Sequence, residues 1–317
     1  MQHLYTSERY LRLIEVTRRG DLAARRALYE EAVAETEGAE RALWMLLRAG
    51  ALLGYPVVPV DRIRTEVGGA LALAPEDPEV RMFAVLSMIN LVMVTERPCH
   101  LKGWWRLIPK VVRQTQDPWQ VYHSLGMLAW SRQRLPLAMR HFNRVLAEMA
   151  AWTPDRMQAF RGRYFLASCF RALIALEMGQ VALAEQDVAR ALDLSEHISK
   201  IYVSDRPLRI AQAGLALSRG DFQGARWSLQ QIRAKEKEER YSRDSYPLKV
   251  EMELMAARIA LAEGNRQAFE HFCGRALALA KQHNFPMTAR RIAAVRLKAL
   301  AETVGVAGSG YGSKEGG

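Results

Sequence analysis

Residues 122–150 read YHSLGMLAWSRQRLPLAMRHFNRVLAEMA. A run of apolar and small residues at helical spacing ends in the polar unit Arg132-Gln133-Arg134, and a second run containing Ala138 and Ala147 follows it. Three further stretches, Ser168–Ser195, Arg209–Glu236 and Glu253–Ala280, share this layout. Each reads as helix, tight turn, antiparallel helix. A unit of this size cannot bury its own apolar face, so it must stack on a neighbour of the same kind. This predicts an all-α array rather than a sheet-based domain.

Aligning the four turns at Gln133, Gly179, Gly220 and Gly264 produces columns. Seven positions earlier stand Gly126, Ala172, Ala213 and Ala257; four positions earlier stand Ala129, Ala175, Ala216 and Ala260. Two small columns three residues apart lie on one helix face and let another helix come close. Phe142, Val188, Leu229 and Cys273 form a third column, and Val145, Ala191, Ile232 and Ala276 a fourth. The boundaries are chemically marked as well. Asp77-Pro78, Asp117-Pro118 and Thr153-Pro154 place a capping oxygen before a proline at the first helical position. Gly20, Gly179, Gly220 and Gly264 follow apolar runs, where glycine accepts the left-handed conformation that closes a helix.

Seven helix pairs are expected, near 5–36, 39–73, 78–116, 118–150, 154–197, 205–240 and 245–283, with a capping helix near 286–304. Val57–Val60 is β-branched but bracketed by Pro56 and Pro59 and reads as a loop. Residues 1–304 therefore form one repeat domain, best defined over 118–283, and the Gly/Ser-rich stretch 305–317 is expected to be a flexible tail.

Tyr122-x-x-Leu125-Gly126-x-x-Ala129, with Ala138, Phe142 and Val145 downstream, resembles the tetratricopeptide repeat. The later units depart from it: Arg171 and Gln212 stand where a leucine is usual, and the turns lie 46, 41 and 44 residues apart. Longer units of this kind resemble modules of bacterial transcription activators and peptide-sensing regulators. The resemblance implies a right-handed α-solenoid whose first helices line a concave groove. Carried over by column, the groove includes His123, Met127 and Trp130, then Cys169, Leu173, Ile210, Gly214, Leu254 and Arg258. It would suit an apolar or amphipathic peptide segment. The same columns are also explained by packing against a neighbouring helix.

Composition narrows the remaining classes. Half of the 317 residues are hydrophobic and a quarter charged. No run of about 18 uninterrupted apolar residues occurs, so no membrane partner is expected. The N-terminus shows no basic segment followed by an apolar core, and the three distant cysteines fit a reducing compartment, so a cytoplasmic protein is expected. The formal net charge is +11 and uneven: −2 over residues 1–77, +9 over 78–174 and +4 over 175–317. Within the basic block, Lys102, Arg106, Lys110 and Arg113 recur at helical spacing beside Trp104, Trp105 and Trp119. Pro109 breaks this stripe if it opens a new helix. Such a patch suits an acidic protein or peptide, gaining capture rate and orientation. It would also suit nucleic acid, with phosphates on the cations and bases on the aromatics. No helix-turn-helix, zinc-finger or aromatic strand motif accompanies it. A solvated face over a Trp-filled core needs no partner at all.

Catalytic patterns do not emerge. Val67-Gly68-Gly69-Ala70 lacks the Lys and Ser/Thr of a phosphate loop, and Gly308-Ser309-Gly310 sits in the tail. The seven histidines show no metal-ligand spacing, so no cofactor or metal is expected. The expectation is a non-catalytic protein- or peptide-binding scaffold. The alternatives are a ligand- or peptide-responsive regulator acting through a partner protein, and a nucleic-acid-binding helical repeat.

Overall fold

The computed structural model describes residues 7–19, 21–53, 58–196, 205–238, 246–283 and 285–308. The described residues form fifteen α-helices with two short 3-10 turns, and no strand occurs among them. In chain order the helices are α1 (Glu8–Arg19), α2 (Leu22–Glu35), α3 (Gly38–Leu52), α4 (Val60–Leu73), α5 (Pro78–Thr95), α6 (Ile108–Gln114), α7 (Pro118–Ser131) and α8 (Leu135–Ala150). They continue as α9 (Pro154–Glu177), α10 (Val181–Glu196), α11 (Arg206–Ser218), α12 (Phe222–Glu238), α13 (Tyr246–Ala262), α14 (Arg266–Gln282) and α15 (Pro286–Gly308). Odd and even helices pair into seven antiparallel hairpins, and from the second hairpin onward the first helix of each packs on the first helix of the next. The helix α15 closes the array against α14.

The turns explain why the hairpins are tight. Gly179, Gly220 and Gly264 have φ of 73°, 74° and 72°, and Gln133 takes the same left-handed conformation at 57°. In each turn the following residue donates its N–H to the carbonyl of the small residue four positions before the turn. The pairs are Arg134 to Ala129 (2.9 Å), Gln180 to Ala175 (2.8 Å), Asp221 to Ala216 (2.9 Å) and Asn265 to Ala260 (2.8 Å). The turn residue itself donates to the carbonyl three residues back, as in Gly179 to Leu176 at 3.1 Å. These are four copies of the Schellman motif, which satisfies the orphan carbonyls of the first helix. Asp221 and Asn265 then accept the N–H of Gly224 and Ala268, so one residue ends a turn and caps the next helix. Gly20 lies outside the described residues.

Burial follows the columns. Ala172, Ala213 and Ala257 are sealed at 0%, 0% and 1% exposure, and Gly126 is buried. Phe142 and Val145 of α8, and their counterparts Val188, Ala191, Leu229, Ile232, Cys273 and Ala276, are buried too. At Gly126 an added Cβ would lie 2.7 Å from the Phe142 ring, so α7 and α8 touch where only glycine fits. One large core runs from Trp119 to Ile259 and a second from Leu13 to Leu128, and they meet at α7.

The expectations for Asp117, for the start of the tail and for Val60 need correction. Asp117 does not cap α7: its carboxylate instead accepts the Trp119 indole N–H (3.1 Å) and pairs with Arg156. The Trp119 indole that engages it is itself packed edge to face on Trp152 and Phe160, with ring centroids 5.6 and 5.9 Å away. The α15 helix continues to Gly308, past the expected start of the tail, and 309–317 lie outside the described residues. Helix α5 is long and apolar enough to cross a membrane by length and composition. Here it forms the centre of the N-terminal core, packed by α3, α4, α6 and α7. Val60 opens α4 rather than ending a loop, while Val57 is not described.

Candidate functional site

The third hairpin is the irregular one. After α5 the chain makes 3-10 turns at Pro98–Leu101 and Trp104–Arg106 before the seven-residue α6. The sequence causes this. Pro98 and Pro109 remove backbone donors, and Gly103 sits at φ 90°, where other residues are strained. The expected stripe is therefore divided: Lys102 occupies a turn, Arg106 a 3-10 turn, and Lys110 and Arg113 lie on α6. All four side chains are nevertheless exposed, and Arg97 joins them just before Pro98. Among the described residues none of these five cations forms an ion pair. Trp105, between Lys102 and Arg106, is 49% exposed, whereas Trp104 packs partly on the N-terminal core. This connector is thus a cationic ridge with one projecting indole. Arg97 could have been read from sequence as the residue after the Thr95-Glu96 helix end. Its place on the ridge depends on turns that the residue spacing does not specify.

The expected groove residues have different fates. Trp130 and Ile210 are 4% and 1% exposed and Cys169 is sealed. His123 lies edge-on to Phe142 and Phe170, with ring centroids 5.4 and 6.0 Å away, and its Nε2 is enclosed without a hydrogen-bond partner. Burial, assisted by the Arg163 charge, lowers its pKa to about 3, so the ring is neutral. Met127 and Arg258 are partly exposed. The structure does bring Trp130, Leu173, Ile210, Leu254 and Arg258 to one crevice, on the facing surfaces of α7, α9, α11 and α13. Its volume is about 10 Å³, room for roughly one water. Around this crevice the residues pack the four helices together.

The crevice is lined by charge that the sequence did not reveal. The Trp130 indole donates to Glu177 at 3.1 Å, and Arg291 of α15 pairs with Glu251 of α13. Burial pushes the Glu177 carboxyl above its ordinary range; the Glu251 charge adds to this, and Arg258 and Arg291 oppose it. Glu96, at the end of α5 with φ 53°, reaches the first turn of α15. Its carboxylate accepts the N–H groups of Met287 and Thr288 and the Thr288 hydroxyl. A larger hollow of about 240 Å³ lies between α12, α13 and α14, floored by Leu229, Ala256 and Ile259 and flanked by Arg226 and Arg233. Both arginines are engaged, with Glu263 and Glu253.

Elsewhere the ionisable groups support the fold. Asp187, fully buried, takes two 2.7 Å bonds from Arg171 and one of 2.5 Å from Arg190. Arg171 thus stands in a usually apolar column because its charge is matched across the hairpin. Burial raises the Cys169 thiol well above its ordinary range, which makes it inert. No group of three or more His, Cys, Asp or Glu among the described residues has metal-binding geometry.

No family model and no curated protein matches the chain. Among solved structures, the chain is similar to PilW, described as a widely conserved type IV pilus biogenesis factor. The two share 15% identity over 90% of this chain and 96% of that chain, at a TM-score of 0.35. A likeness this distant carries no argument about what the chain does.

Proposed function

We propose that this helical-repeat protein is a non-catalytic recognition scaffold that captures an acidic segment of a partner protein on the ridge Arg97–Arg113. One observation supports the reading most: five exposed cations without carboxylate partners among the described residues flank a half-exposed tryptophan. Elsewhere on the surface arginines are commonly matched, as in Arg9–Glu35, Arg219–Glu185 and Arg296–Glu270. An unmatched run of like charge raises the local potential and steers an oppositely charged partner toward it. The indole adds an apolar anchor of the kind that dominates binding hot spots.

The test is a titration of the intact chain with a labelled peptide rich in Asp and Glu, alongside a mixed-sequence single-stranded oligonucleotide. The reading expects peptide binding that falls by about tenfold or more in the triple variant Arg106→Glu, Lys110→Glu, Arg113→Glu. The unfolding midpoint should stay unchanged, since these side chains are exposed. Peptide affinity that survives the triple reversal would contradict it, as would preference for the oligonucleotide with steep salt dependence.

A further inference from the structure

Glu96 and α15 are joined by hydrogen bonds spanning 191 and 192 residues of sequence. The two sides belong to different parts of the array, the third hairpin and the terminal cap. Their link is polar. The apolar residues of α15, such as Ile292, pack with Val250, Leu254 and Phe285, whereas those of α5 belong to the N-terminal core. Separating Glu96 from α15 therefore opens no hydrophobic cluster. Releasing this contact breaks three hydrogen bonds and the Coulomb attraction between the Glu96 carboxylate and Arg291, while swinging α15 away also breaks the Ile292 packing and the Arg291–Glu251 and Arg296–Glu270 pairs. Glu96 is also one of only two non-glycine residues with positive φ among the described residues, a conformation maintained only where the surroundings require it.

We propose that Glu96 and the first turn of α15 form a clasp that keeps the concave side of the array shut, and that the array opens by releasing it. The clasp lies beside the crevice that gathers Trp130, Leu173, Ile210 and Leu254. With the clasp closed, that crevice has room for about one water. With α15 swung away, Arg258, Glu251 and Glu177 would be freed from the helix that brings Arg291 against them. The proposal does not rest on the cationic ridge, although Arg97 follows Glu96 directly in the chain.

Amide hydrogen exchange and small-angle scattering on the full chain test it, comparing Glu96→Ala, Glu96→Gln and Thr288→Val. A side-chain cap at a helix N-terminus is worth a factor of about ten in local opening. Glu96→Ala should speed exchange at Met287 and Thr288 by about tenfold and enlarge the radius of gyration, with α9 and α10 unchanged. Glu96→Gln retains an acceptor and should lie between Glu96→Ala and the parent. Thr288→Val loses one bond and should shift exchange by about threefold, which keeps the test decisive even if Glu96→Ala fails to fold. Unchanged exchange at the first turn of α15 in all three variants would overturn the proposal. So would faster exchange spread evenly over the array with an unaltered radius, because Glu96 would then be a general structural support.

Discussion

His123 shows how a residue of the expected groove column can have its ring packed among aromatics while the side chain as a whole stays partly exposed. Its column position faces the supposed groove, but Phe142 and Phe170 enclose it and Nε2 has no partner. The pH consequence has a definite sign. The folded pKa of about 3 lies below the ordinary 6.5, so only the unfolded chain takes up a proton between those values. Stability attributable to this ring is full above pH 6.5 and is lost on acidification, by about 1.4 kcal/mol per pH unit. Unfolding free energies from urea titrations at pH 7.5 and 5 should therefore differ by about 2 kcal/mol less in His123→Phe than in the parent. Equal acid sensitivity in both proteins would show that the ring is not held neutral. The turn residues carry a related lesson at the same scale. Gly179, Gly220 and Gly264 were recognisable because glycine is the usual left-handed residue. Gln133 was found only through its column, and it fills the same conformation with a side chain that reaches Glu177 at 3.4 Å.

Among the elements, hairpins were legible wherever two local signals agreed. Prolines after Asp77 and Thr153 set helix starts, and the side-chain oxygens of those two residues accept the N–H groups of Val80 and Arg156 as caps should. Asp117 carried the same signal, yet Arg156 and the Trp119 indole captured its oxygen; both partners are set by tertiary packing that residue spacing cannot encode. The close approach of α7 and α8 gives a direct test of the small-residue columns. In Gly126→Ala the new methyl would meet the Phe142 ring at 2.7 Å, and Phe142 is itself fully buried. The variant should lose about 1–3 kcal/mol in chemical denaturation despite the better helix propensity of alanine, which returns at most about 1 kcal/mol. A neutral or stabilised variant would mean that the two helices are looser than described. The third hairpin was the least legible element. Its cations were visible, but their arrangement depends on two 3-10 turns fixed by Pro98, Gly103 and Pro109 together.

For the whole molecule, the number and order of hairpins followed from sequence because each pair is built from contacts near in the chain. The closure of the array did not. Glu96 meets Thr288, and the charges of Glu251 and Arg291 act on Glu177, although these residues lie far apart in the chain. Such contacts leave no periodic trace. They gather Trp130, Leu173, Ile210, Leu254 and Arg258 around a crevice of about 10 Å³. The membrane-length apolarity of α5 belongs to the same scale. That helix is apolar on nearly all sides because neighbouring helices surround it.

The fold is built of hairpins that are unstable alone and stable in a stack, since the buried columns of each are covered by the next. The most direct measurement is thermal unfolding by circular dichroism of the single hairpin 154–196 beside the four-hairpin segment 118–283. The expected result is a largely unstructured hairpin without a transition, and a helical segment 118–283 that melts cooperatively. A lone 154–196 peptide with full helicity and a sharp melting transition would contradict it.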